Sequence, residues 1–370
     1  MSRQITVLCV GPGLTVKGGP SRVFGKIINL FPSHIKYVVV PTHTGYVGSN
    51  ETERSSIAVQ FFVYVLAVGR LTWAAAFSRC RTVFHVHFSE RGSTLRKGLI
   101  CVVLRLSGAR FVLHEHAAVG EIFHRYVPNW IRRIILWGFA GAKCFIALNM
   151  YWTEYFTLHL GCDPSSILVI PNPSDYPTVL PDRSKNPSIE ILFLGRIGAR
   201  KGAFDLLKAF AMLSPAVRER CHLTIAGDGA IEAARTLAAD LGVADKVTVP
   251  GWVGPSDVNT LLARGEIFVL PSRGEGMSNA LLEALGWGLA VITSAAGGTS
   301  EFLKSDADCV IVDPGDTQAI CGAMTDLITC PALRAKIGAA GRKAVRQFNI
   351  EAYVARLTRV YEDVTGWERI

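Results

Sequence analysis

Glu275 and Glu283 are separated by seven residues in the run FVLPSRGEGMSNALLEALGWGLAVIT. Two carboxylates held near one another can accept several hydroxyl protons from one ligand. A second set of charges, Arg196 and Lys201, lies in LGRIGARKGAFDLLKAF. A diphosphate carries about two negative charges, and an Arg fork with a Lys point charge is the pairing that suits it. Four histidines, His85 and His87 in HVHF and His114 and His116 in HEH, offer further nitrogen ligands or proton carriers. His-x-His pairs can chelate zinc, but each pair here sits on a strand end and spacing supplies no third ligand, so no metal is expected.

The elements that must position these groups are legible around them. IFVLP (267–271) reads as a buried strand, SRGEG (272–276) turns the chain, and SNALLEALGWG reads as a helix. Glu275 therefore belongs to a loop at the carboxyl end of a parallel strand, where open α/β sheets bind ligands. Glu283 falls about two turns into the helix and can point into the same crevice. The amides of Gly276, Met277 and Ser278 are expected to open that helix, a ready site for an anion. Arg196 and Lys201 likewise leave a strand that ends at Gly195. AGDG (226–229), with Gly227, permits a tight turn close to a ligand. Hydroxyl acceptors, fixed cations and a helix start together suit a ligand bearing both hydroxyls and phosphates, such as a nucleotide sugar.

Strand-like runs recur at 5–11, 37–41, 82–88, 110–116 and 144–149, then at 189–197, 221–229, 246–253, 266–272 and 289–294. Helical patterns separate them, which implies parallel sheets covered on both faces. At 370 residues the chain exceeds one ordinary core. The reading is an N-terminal Rossmann-like domain over 1–170, a proline-rich linker at 171–188, a second Rossmann-like domain over 189–348, and a final helical segment at 349–370. The fold class is α/β.

Hydrophobic residues make up 49% and charged residues 19%, the balance of a globular protein. The nine cysteines are scattered without a CxxC, as buried small side chains in a reducing compartment would be. A strand pattern begins at once, so no secretion signal is expected. The apolar run at 57–69 is closed by Arg70 and reads as too short to span a bilayer. Residues 1–180 hold 18 Lys and Arg against 8 Asp and Glu, a difference of +10, and the remainder 21 against 22. That field favours an anionic partner. No nucleic-acid-binding signature accompanies it, so nucleic acid is not expected. NWIRRIILWGF (129–139) sets Arg132 and Arg133 among tryptophans and isoleucines, the make-up of a helix at an anionic membrane surface or, equally, of an amphipathic helix docked on its own sheet.

The segment 189–320 closely resembles the donor signature of family 4 retaining glycosyltransferases of the GT-B fold, with looser likeness over 1–150. The resemblance implies two Rossmann-like domains with an interdomain cleft and a last helix that crosses back to the first domain. It implies that Glu275 contacts the donor sugar, Glu283 the ribose, and Arg196 and Lys201 the diphosphate, with Gly227 nearby and Trp252 and Val253 beside the base. Gly18 and Gly19 match the family's N-terminal glycine pair. His116 best fits a histidine over the sugar pocket, with His114 the alternative; Arg91, Arg96 and Lys97 suit an anionic acceptor. Two departures stand out. Asn172-Pro173-Ser174-Asp175 replaces a usual Asn-Gly-Val-Asp, and Asp306-x-Asp308 imitates a metal motif of another fold but reads as solvated charge. The implied activity is retaining transfer from a UDP- or GDP-linked sugar to a glycan or lipid-linked glycan, without cofactor or metal. The expected location is cytoplasmic and peripheral at the inner face of the membrane. A GT-B nucleotide-sugar epimerase and a non-catalytic nucleotide-sugar-binding protein are the alternatives.

Overall fold

The computed structural model describes residues 4–14, 19–43, 57–77, 81–89, 92–116 and 127–367. They form two compact units, one of Met1–Asn172 with Ile350–Ile370 and one of Pro173–Asn349.

In the first unit the order is β1 (Ile5–Gly11), α1 (Gly19–Ile27), β2 (Ile35–Pro41), α2 (Ile57–Ala76) and β3 (Thr82–Phe88). It continues with α3 (Gly92–Leu106), β4 (Phe111–Glu115), α4 (Asn129–Phe139), β5 (Cys144–Ala147), α5 (Met150–Leu160) and β6 (Ile167–Val169). All the strands are parallel, in the order β2-β1-β3-β4-β5-β6. The order reverses between β1 and β3. β3 to β5 are buried almost throughout, the signature of a sheet covered on both faces. Helix α3 lies so close to α4 that a Cβ on Gly98 would sit 2.5 Å from Ile135.

The second unit holds β7 (Ile189–Leu194), α6 (Ala203–Ala211), β8 (Cys221–Ala226), α7 (Ile231–Asp240), β9 (Val247–Gly251), α8 (Pro255–Arg264) and β10 (Ile267–Leu270). After these come α9 (Asn279–Gly286), β11 (Ala290–Thr293), β12 (Val310–Ile311), α10 (Thr317–Thr329) and α11 (Pro331–Val345). Its parallel order is β12-β11-β10-β7-β8-β9, reversing between β10 and β7. The last helix, α12 (Ile350–Thr365), packs on β1 and β3 of the first unit, where Tyr353, Leu357 and Tyr361 join Val23, Phe24 and Ile27 of α1 in the core.

Three differences from the sequence reading have clear causes. Each sheet has a sixth strand, β6 and β12, of three and two residues, too short to carry a periodic signal. The helix begun by the apolar run at 57–69 does not stop at Arg70. It continues to Ala76, 20 residues, and is long and apolar enough to cross a membrane by length and composition. A single arginine does not end a helix, because its long stem reaches solvent while the backbone continues. The proline-rich segment is fixed to the second unit. Arg183 donates to the Leu262, Ala263 and Trp287 carbonyls at 2.9 to 3.1 Å, and Asn186 donates to the Arg264 carbonyl. Arg342 lies 3.9 Å over the Tyr176 ring and donates to the Pro177 and Gly286 carbonyls. These side chains satisfy the carbonyls that the ends of α8 and α9 leave open.

Candidate active site

The order reversal in the second sheet puts the carboxyl ends of β7 and β10 side by side. Arg196 and Lys201 follow β7, and Glu275 follows β10. Lys201 stands at the end of the 3-10 turn Ala199–Lys201, whose terminus is Gly202 at φ +76°. A Cβ on Gly202 would lie 2.3 Å from the Pro271 carbonyl, so only glycine lets the loop after β7 rest on the loop after β10.

The two loops are stitched together at several points. The Arg273 amide donates to the Arg200 carbonyl at 2.8 Å, and Arg200 donates to the Gly274 carbonyl at 2.7 Å. The Arg273 guanidinium bonds Asp205 of α6 and the Ala199 carbonyl. Within this frame Lys201 Nζ is ion-paired with Glu275 Oε1, both side chains being largely buried. The Ser272 hydroxyl lies 2.8 Å from the same oxygen and Arg200 lies 3.8 Å away. Burial lowers the Lys201 pKa, and the Glu275 charge opposes that shift. Arg200 and Ser272 were not singled out in the sequence; their signal was adjacency, each standing within three residues of a charge that was.

Arg196 is half exposed and 3.5 Å from Asp228, in the loop after β8. That loop passes directly beneath the β7 loop: a Cβ on Gly227, at φ +155°, would meet the Gly195 carbonyl at 1.8 Å. Helix α9 begins at Asn279 with Ser278 as its N-cap, the side chain accepting from the Leu281 amide. Gly276 and Met277 therefore precede the helix instead of opening it. Their path rests on the turn Ala296–Glu301, where a Cβ on Gly297 would be 2.4 Å from the Glu275 carbonyl. Glu283 is buried within α9. Trp252 is 43% exposed, so it is no core residue. Val253 lines a groove with Thr224, Thr248 and Arg264 whose walls include none of Arg196, Lys201 and Glu275.

In the first unit, register brings the four histidines together: His87 pairs with His114 across β3 and β4. His85 Nδ1 is 2.7 Å from the Tyr361 hydroxyl of α12 and its Nε2 is 3.2 Å from His114 Nδ1. His87 Nδ1 is 2.7 Å from His116 Nε2. One nitrogen from each of His85, His87 and His114 lies within 4.8 Å of the others, so folding supplies the third partner that spacing did not reveal. Burial holds the imidazoles neutral, pushing His85 down to about 3 and His116 to about 4, with His114 and His87 also well below the ordinary range.

His114 has no exposed surface, so an acceptor cannot reach it as expected; His116, mostly buried, is the one of the two that keeps some exposed surface. Lys97 departs from the sequence reading as well. It is fully buried, donating to the Val10 carbonyl and the Thr42 hydroxyl, and burial pushes its pKa down to about 7. It is therefore no surface charge for an anion. Arg96 is half-buried on α3. Gly19 is the first residue of α1, while Gly18 and Arg91 lie outside the described residues. Asp308 caps the Lys304 amide at 3.1 Å and Asp306 turns the same exposed loop at φ +60°.

Residues 181–344 match the family model of glycosyl transferases group 1. The lipopolysaccharide core biosynthesis glycosyltransferase LpsE of Rhizobium meliloti is 31% identical over 164 residues, 44% of this chain and 46% of that one. The chain thus spans about half the length of the first curated relatives it matches. The UDP-Gal:alpha-D-GlcNAc-diphosphoundecaprenol alpha-1,3-galactosyltransferase of Escherichia coli is 25% identical over 300 residues, covering 76% of this chain and 75% of that one. Anabaena HepE, solved in complex with UDP, superposes with a TM-score of 0.74 at 15% identity, over 97% of this chain and all of that one. The fold is that of GT-B glycosyltransferases, two parallel six-stranded α/β units.

Proposed function

We propose that this protein is a retaining glycosyltransferase that moves a sugar from a UDP- or GDP-linked donor to a hydroxyl of a glycan or lipid-linked glycan. The observation that carries the reading is the ion pair of Lys201 and Glu275, with Arg196 on the same β7 loop, where the second sheet reverses its strand order, the place where such sheets bind ligands. The names of the relatives support it: a lipopolysaccharide core glycosyltransferase, and a galactosyltransferase whose name joins a UDP-sugar donor to a lipid diphosphate acceptor. Both are transferases, which favours transfer over epimerisation or binding alone.

In this reading Arg196 and Lys201 hold the donor diphosphate and stabilise the charge that grows on its β-phosphate as the glycosidic bond breaks. Glu275 turns from Lys201 to the sugar hydroxyls, and Glu283 holds the ribose. Gly227 keeps the neighbouring loop close, Trp252 and Val253 lie beside the base, and His116 covers the sugar. No carboxylate is assigned as a covalent nucleophile; the acceptor hydroxyl attacks the face the leaving phosphate departs from, and that phosphate takes its proton. The reaction needs no divalent metal, since two fixed cations serve the diphosphate. The protein works in the cytoplasm at the inner face of the membrane, where a lipid-linked acceptor is presented.

The test is mass spectrometry of products formed from a panel of UDP- and GDP-sugars with membrane extract, with and without EDTA, followed by NMR of the new anomeric centre. A one-sugar increment on an acceptor, with retained configuration and resistant to EDTA, is expected. Release of free sugar or epimer without any acceptor product points to the epimerase. Nucleotide binding without turnover points to a binding protein, and loss on chelation overturns metal independence.

A further inference from the structure

Helix α2 is built the wrong way round for a helix facing water. Its inner line is Ala67, Leu71 and Ala75, small or branched side chains buried against the first unit, and the Tyr64 hydroxyl donates to the Arg96 carbonyl of α3 at 2.9 Å. The opposite face carries Phe62, Val65, Leu66 and Trp73, with Phe62 63% and Trp73 68% exposed, interspersed with Ala58, Gly69 and Ala76. A surface helix ordinarily turns charge outward; one that is apolar all round belongs in a core or in lipid. This one is not in a core: the window Ala58–Ala76 has mean hydropathy 1.4 and only 17% of it is buried. The Thr72 hydroxyl is satisfied by the helix's own backbone, donating to the Val68 carbonyl at 2.8 Å. Over 57–77 the sole charge is Arg70.

Helices α2, α3 and α4 pack side by side. None contains an acidic residue, and apart from the buried Lys97 they carry Arg70, Arg96, Arg105, Arg132 and Arg133. Trp130 and Trp137 of α4 are exposed, and Arg105 lies 4.3 Å over the Trp137 ring. An apolar helix beside tryptophans and arginines matches the boundary between acyl chains and anionic headgroups. A second copy of the chain fits less well, because a symmetric contact would set these arginines against each other.

We propose that α2 lies in the plane of an anionic bilayer, its Phe62–Trp73 face sunk into one leaflet and α4 resting on the headgroups beside it. Its inner line stays packed on the first unit, so the helix dips into the membrane without crossing it. The proposal deepens the membrane reading above and rests on it, while naming a segment that the sequence alone excluded. A sunken α2 would hold the carboxyl ends of β3 and β4 at the surface where a lipid-linked acceptor arrives.

The experiment is co-sedimentation with vesicles of phosphatidylglycerol and phosphatidylcholine, beside UDP binding measured on the same preparations. Wild type is expected to pellet with anionic vesicles and to be released by salt. The Phe62→Glu, Val65→Glu double variant should lose at least tenfold in vesicle affinity while keeping its circular dichroism and UDP binding. As a second readout, brominated lipids should quench wild-type tryptophan fluorescence, and Trp73→Phe should lose much of that quench. Wild type remaining in the supernatant at low salt overturns the proposal. So does a double variant that pellets like wild type, or a dimer in sedimentation velocity that the variant dissolves. Failure to bind UDP would instead overturn the donor reading and leave vesicle binding as its own result.

Discussion

Lys201 and Glu275 are each other's ion-pair partner across the switch point of the second sheet, a cation from the β7 loop closed on a carboxylate from the β10 loop. The two groups proposed for the donor's diphosphate and sugar thus neutralise one another. On the proposed function, donor binding exchanges this pair for phosphate and hydroxyl contacts, so neither side chain would act alone.

A double-mutant cycle should expose that coupling. Lys201→Ala leaves Glu275 with Ser272 and a more distant Arg200, and Glu275→Gln leaves a buried ammonium without its counter-charge. Each single change is expected to slow transfer by about 2–4 kcal/mol of transition-state free energy. The double change should cost less than the sum, by about 1–3 kcal/mol. Simple additivity in kcat/KM would mean that the two groups work independently.

Arg196 should behave differently. Its pair with Asp228 is half exposed on both sides and 3.5 Å long, so it adds little to stability. Arg196→Ala is therefore expected to leave Tm within a degree or two, while weakening UDP binding by about 1.5–3 kcal/mol through a lost charged contact. Calorimetric titration beside a melting curve separates the two effects; unchanged UDP affinity would remove Arg196 from the site.

Most of the second unit was legible because its chemistry sits on local pattern. Gly195-Arg196 and Lys201-Gly202 are read from spacing, and the strand before Glu275 from an unbroken apolar run. What stayed hidden depends on non-local pairing. Nothing in HVHF or HEH reveals that β3 and β4 stand in register, or that Tyr361, some 250 residues on, closes the histidine chain. Lys97 misled for a related reason: a lysine in a basic stretch reads as surface charge until its Nζ is found under β1. The extent of α2 is hidden because Arg70 looks like a stop, whereas one charge in a long apolar helix costs little when it lies at the edge of the exposed face.

Three glycines in the second unit differ in what a methyl group would meet. At Gly227 it would strike the Gly195 carbonyl, and at Gly202 the Pro271 carbonyl, both backbone atoms with no room to move. At Gly242, φ +66°, it would meet open space. Alanine at 242 should cost about 1–2 kcal/mol, the left-handed penalty alone. Alanine at 227 or 202 should cost more than that, about 3 kcal/mol or above, because clash adds to strain, and should also weaken UDP binding. Equal urea midpoints for the three variants would show that the loops can slide apart.

Acid should loosen the first unit before the second. His85, His87, His114 and His116 are buried neutral, with folded pKa values below the unfolded value of about 6.5. The unfolded chain therefore binds more protons than the folded one as pH falls below that value, and stability drops as pH is lowered towards 4. Above about pH 7 these groups contribute no slope. The second unit has only His222, partly buried on β8 and 2.8 Å from the Thr248 hydroxyl. Hydrogen exchange, corrected for intrinsic rates, should show protection in β3, β4 and α12 falling between pH 7 and 5 while β7 and β10 hold. His85→Phe removes one titrating ring and its bond to Tyr361, so it should lower stability at pH 7 yet flatten the acid slope. A slope unchanged by that substitution would assign the acid response to other groups.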